Sequence, residues 1–166
     1  MPRPLITALT SRQSIAAANI LLALLMFQGV WDISGLWNQL DQCQNHMEEI
    51  LEGLGTILVA FGVALEERET LMKLLGVYPV GLTQLQKQVD HHCHGYGLFL
   101  LLLGLFVEVS VYIIRMPDLN TLDFDPGLIV AGTLLTFYGG LLLLRLAWLL
   151  FTAQPQDQPA PESTNH

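Results

Sequence analysis

The nineteen residues Tyr96-Gly-Leu-Phe-Leu-Leu-Leu-Leu-Gly-Leu-Phe-Val-Glu-Val-Ser-Val-Tyr-Ile-Ile114 decide the fold. A helix needs about 20 mostly apolar residues to cross roughly 30 Å of hydrocarbon, and this stretch supplies them with a single Asp, Glu, Lys or Arg, Glu108. Inside hydrocarbon only helices and closed barrels satisfy every backbone group. The run shows no apolar/polar alternation, so it reads as a helix. Three further stretches read the same way, at about 14–31, 50–65 and 128–151. The stretch at 50–65 has the shortest uninterrupted apolar core and also suits a buried or re-entrant helix.

The expected fold is therefore all-α, an integral membrane four-helix bundle occupying residues 1–151 as one domain. A Gln-, Pro- and Ala-rich tail, 152–166, has nothing from which to build a core and is expected to be disordered. Composition agrees: 52% of the 166 residues are hydrophobic and 13% charged, about half the charged share of an ordinary soluble domain. Mean hydropathy is +0.47. An acidic disordered chain would lack this Leu and Val content, and a nucleic-acid binder would carry a basic stripe.

Orientation follows the Lys and Arg of short flanking loops. Arg3 and Arg12 precede the first span, and Arg68, Lys73 and Lys87 lie between the second and third. The other two loops hold only Arg115, while Arg145, late in the fourth span, can snorkel toward the first group. Both termini are thus expected to be cytoplasmic, in the cell (inner) membrane. Met26-Phe-Gln-Gly-Val-Trp31 offers no small-x-small cleavage site, so the first span reads as a retained anchor. On this topology the net charge of −8 is one-sided: the outer face has eight acids against Arg115, and the inner face balances six against six.

Outside the spans, Asp32 to Glu49 reads as a polar outer loop. The inner segment from Glu66 is expected to continue span two as an amphipathic helix as far as Gly76, and a second helix from about Leu82 to run into span three. Cys43 and Cys93 fall on opposite sides and cannot pair within one chain. Small residues recur every third or fourth position: Gly132, Thr136 and Gly140; Thr56, Ala60 and Ala64; Ala16, Asn19 and Ala23. Such stripes let helices approach closely, within the chain or with a partner helix.

Two sets of residues could carry chemistry. His91 and His94 share a helix face, and Glu66 and Glu69 close the preceding span at similar depth. Two imidazoles and two carboxylates suit a divalent transition metal; the alternative is a water-facing polar cap. Glu108 lies within span three and should face the bundle, since an ionised group facing lipid is costly. Thr133, Thr136 and Tyr138 are its expected hydrogen-bond partners. With Glu52 and His46 it could form an outer cation or proton site; the alternative is a structural hydrogen bond.

Asp90-His91-His92-Cys93 resembles the signature of the DHHC palmitoyltransferases, which also have four spans and carry the motif between the second and third. Asp125-Pro126-Gly127 is a tripeptide of that family too. The resemblance implies an acyltransferase with Cys93 as nucleophile. It covers four contiguous residues plus topology. The family's zinc-holding Cys and His residues are missing, the motif continues as His94-Gly95-Tyr96-Gly97, and the tripeptide lies in the other loop.

No phosphate loop, nucleophile elbow, His-Glu-x-x-His or Cys-x-x-Cys occurs. The leading expectation is an accessory or interaction subunit of a membrane complex, or a homo-oligomer, without catalysis of its own. Its partners would be the lipid bilayer and other membrane helices, not nucleic acid. The alternatives are metal or proton handling and, remotely, acyl transfer.

Overall fold

The computed structural model describes residues 12–74, 76, 84–116 and 125–152, and these are helical almost throughout, with no strand among them. The helices are α1 (Arg12–Leu36), α2 (Leu40–Glu66), the short α3 (Arg68–Leu74), α4 (Gln84–Ile114) and α5 (Asp125–Thr152), with a 3-10 turn at Trp37–Gln39. Segments Gln13–Gln39, Val89–Ile114 and Asp125–Thr152 are long and apolar enough to cross a membrane. The described chain is thus all-helical, and these three helices mark it as an integral membrane protein. At 27 residues α2 is long enough as well, but Asp41, Glu48, Glu49 and Glu52 crowd its first half. It is not among the membrane-grade helices.

The outer loop expected at Asp32 to Glu49 is a correction. Helix α1 runs on to Leu36, one 3-10 turn reverses the chain, and α2 starts at Leu40. The reason is amphipathicity. Met47 and Leu51 are fully buried, in a cluster with Ile33, Val107, Val111 and Ile129. A search for unbroken apolar runs passes over such a helix. Helix α5 likewise begins ahead of the expected span, with Asp125 in its first turn, where a carboxylate complements the helix dipole, and Pro126 beside it.

The inner segment follows expectation. Hydrogen bonding continues across Glu67, whose N–H donates to the Val63 carbonyl at 2.9 Å while its own carbonyl accepts from Leu71 at 2.9 Å. Helix α3 ends at Leu74, and Gly76 closes it at φ 64°, its N–H donating to the Lys73 carbonyl. A left-handed residue here is the ordinary glycine stop. The proposed disordered tail beyond Thr152 lies outside the described residues.

Packing is organised around α2, by two lines of residues spaced seven apart. One line (Gln44, Leu51, Leu58) meets α5. Gln44 hydrogen-bonds Asp125, Leu51 fills the space over Gly132, and Leu58 the space over Gly139. Both chains advance together, so α2 and α5 are parallel. The other line (Gly55, Gly62) meets Gly104 and Gly97 of α4, in descending order, so these two helices are antiparallel. A Cβ added to Gly104 would stand 2.8 Å from the Gly55 carbonyl oxygen. Only hydrogens fit there, and the two backbones touch. Close packing of this kind drives helix association where water is absent.

Helix α1 packs mainly on α5, where Gly140 accepts the Phe27 ring and Met26. The buried core between them includes Ala16, Ala23, Leu143, Leu146 and Leu150. Asn19 is fully buried on this face, and its side-chain amide has no hydrogen-bond partner among the described residues. The outward surfaces of α1, α4 and α5 carry large apolar side chains such as Leu21, Leu24, Phe99, Phe106, Leu134 and Trp148. These are the surfaces that lipid would meet.

Candidate functional site

The ionisable groups concentrate along the seam between α2 and α4. Near the Leu40 end of α2, Gln44 donates from Nε2 to both Glu48 (3.1 Å) and Asp125 (3.0 Å). Glu48 is buried, and Arg115, just past the end of α4, lies against it at 3.5 Å. The same guanidinium reaches Glu52, one turn along α2, at 2.7 Å. The Glu52 hydrogen bond is the largest influence raising the Arg115 pKa above its ordinary value. One cation thus serves two carboxylates, and the network joins α2, α4 and α5.

A turn deeper, the Thr56 hydroxyl donates to Glu108 Oε1 at 2.6 Å. Glu48, Glu52 and Thr56 are four residues apart and so form one stripe of α2. Glu108 and Arg115, seven apart, form the facing stripe of α4. The close approach of the backbones at Gly55 and Gly104 makes the short Thr56 reach sufficient. The partners expected for Glu108 on α5 are a correction: Thr133 and Thr136 turn their hydroxyls to the Ile129 and Gly132 carbonyls of their own helix. Glu108 is held by α2 and is only half-buried.

The outer trio is therefore brought together in part. Glu52 and Glu108 lie on the same seam. His46 does not join them: it is exposed, with Nδ1 3.9 Å from Glu49 Oε2, both side chains largely in solvent. Sequence reading passed over Glu48 and Arg115 as members of this network. The signal for Glu48 was its seven-residue step to Gly55 and Gly62, and for Arg115 its seven-residue step from Glu108.

At the other end of the seam, Arg68 forms an ion pair with Asp90, both largely buried. Glu69 pairs with Lys73 at 2.6 Å on the surface of α3. His91 is exposed and stands beside His92, with ring centroids 6.1 Å apart, and His94 is exposed. No group of three or more His, Cys, Asp or Glu side chains among the described residues is arranged to hold a metal ion. His91, His94, Glu66 and Glu69 are not gathered into a centre. Cys93 is fully buried within α4, as part of the core cluster.

By arginine–carboxylate contacts the arrangement ties α2 to the end of α4 through Arg115 and α3 to the start of α4 through Arg68, with touching glycines between. Its chemistry is that of a closed joint. In comparisons with known proteins, no family model, no curated protein and no solved structure matches the chain.

Proposed function

We propose that the chain is a four-span membrane protein with both termini on the cytoplasmic side of the cell (inner) membrane, acting as an interaction subunit of a membrane complex without catalysis of its own. The observation behind this reading is the outward face of α2. It carries Glu49, Gly53, Ala60, Val63 and Ala64, with Thr56 at its border with α4. Of these only Val63 is a large exposed apolar residue, whereas the other long helices present Leu, Phe and Trp.

Of the three small-residue stripes in the sequence, two are used internally. Gly132, Thr136 and Gly140 are buried, as are Ala16, Asn19 and Ala23. The third, Thr56, Ala60 and Ala64, is exposed, and only Thr56, at its edge, is engaged within the chain through Glu108. A helix more polar than its neighbours, with small residues outward, suits contact with another helix better than contact with lipid. The occupant we propose is a transmembrane helix of another membrane protein. Metal or proton handling has no comparable support, because Arg115 already lies against Glu48 and Glu52.

A photoreactive residue introduced at Ala60, compared with one at Leu21 on the far surface of α1, tests the reading in native membranes. Adducts from Ala60 but not Leu21 are expected. An adduct of twice the chain's mass would assign the face to a second copy instead. Absence of any Ala60 adduct, or equal labelling from both positions, would overturn the proposal.

A further inference from the structure

Away from the α2 face, helices α4 and α5 line a surface cleft of about 360 Å³ at the end of the bundle where α4 begins. Its polar lining is His91, His92, Tyr96, Tyr138 and Arg145, and its apolar walls include Phe99 and Leu142. The two helices are antiparallel. The stripe His92, Tyr96, Phe99 on one therefore faces the stripe Arg145, Leu142, Tyr138 on the other, which sets both histidines at the level of the arginine.

Arg145 is the unusual member. It lies inside the membrane-grade segment Asp125–Thr152, seven residues before its end and so about 10 Å along the axis. Among the described residues it has no ion pair. No acidic side chain among the described residues lines the cleft, and nearby Asp90 is already paired with Arg68. A guanidinium at that depth is costly without a counter-charge. The cleft adds two imidazoles and two phenol hydroxyls as further hydrogen-bonding groups around it.

We infer that this cleft binds the phosphate headgroup of an anionic phospholipid. Arginine matches phosphate oxygens in a bidentate fork, and basic pockets between transmembrane helices are a known form of headgroup recognition. The apolar walls separate a lipid from a soluble anion. Phe99 and Tyr138 are both more than half exposed on the outer surface of the bundle, so acyl chains can lie along them while the phosphate meets Arg145. The site is independent of any partner at α2.

Trp148, three residues from Arg145 and largely exposed, provides the reporter. With Trp31→Phe and Trp37→Phe it is the remaining tryptophan of the three. The protein is reconstituted in phosphatidylcholine vesicles containing a small fraction of brominated-chain phosphatidylglycerol or, in parallel, brominated phosphatidylcholine. Quenching is expected to favour phosphatidylglycerol by about fivefold, and Arg145→Gln to remove the preference with helix content unchanged. Should that variant misfold, His91→Ala with His92→Ala is expected to weaken the preference. Equal quenching by the two lipids would overturn the inference, as would an undiminished preference in the variant that folds. Displacement of the brominated lipid by millimolar inorganic phosphate would assign the site to a soluble anion and overturn it too.

Discussion

Gly62 of α2 and Gly97 of α4 are reciprocal: a methyl group on Gly62 would lie 2.8 Å from the Gly97 carbonyl oxygen, and one on Gly97 would lie 2.7 Å from that of Gly62. The obstacle in both directions is backbone, which cannot move aside. Gly62→Ala or Gly97→Ala is expected to destabilise the bundle by about 1–3 kcal/mol through overpacking. Gly53, with nothing near its Cβ position, is the control: Gly53→Ala should stabilise by about 0.5–1 kcal/mol, the helix-propensity difference. Reversible denaturation in detergent micelles reads all three.

Arg115 and Glu48 are unequal partners, since Glu48 is buried and Arg115 half-exposed. Arg115→Gln strands a carboxylate, whereas Glu48→Gln leaves a neutral amide and a guanidinium that still reaches Glu52. The thermal midpoint of Arg115→Gln is therefore expected below that of Glu48→Gln, and the double variant should regain part of the loss. Equal midpoints for the two single variants would show that burial of Glu48 carries no penalty.

Thr56→Val keeps the shape of the side chain and removes the hydroxyl that meets Glu108. Side-chain hydrogen bonds within membranes contribute about 0.5–2 kcal/mol, and a loss in that range is expected on unfolding. Glu108→Gln retains an acceptor for the same hydroxyl and should be milder. If Thr56→Val is neutral while Glu108→Gln is severe, Glu108 has a role beyond this contact.

Topology can be read by thiol labelling. Cys43 is partly exposed and Cys93 buried, so Cys93 is protected whichever way the chain faces and reports nothing about sidedness. Cys43 is expected to react with an impermeant maleimide in intact cells. In a Cys43→Ala background, Glu67→Cys, an exposed position beyond α2, should react only after permeabilisation. The opposite pattern would invert the orientation.

Three helices could be read directly from hydropathy, because α1, α4 and α5 meet lipid on wide apolar surfaces and announce themselves as runs. Gly76 was also legible, since a helix stop is a local property of one residue and its neighbours. Helix α2 was half legible. Its Leu40–Glu49 portion is helical through contacts that Met47 and Leu51 make with distant residues, and only the spacing hints at them. The glycine contacts were less visible still, since they are a relation between two helices: Gly55 and Gly62 gain meaning only beside Gly104 and Gly97. The same applies to Glu108. Its need for a partner was evident from depth, but the choice of Thr56 over the hydroxyls of α5 depended on how near α2 comes.

That nearness has a consequence for synthesis. On the four-span reading, α2 leaves the ribosome before the helix it touches most closely has been made, and it is the most polar of the long helices. Three helices have the composition to enter the bilayer alone, and the fourth must be carried in. Its passage into the membrane would then wait for Gly97 and Gly104 to emerge. A side chain at either position would show itself first as a protein of wrong topology, before any change in the stability of correctly inserted molecules.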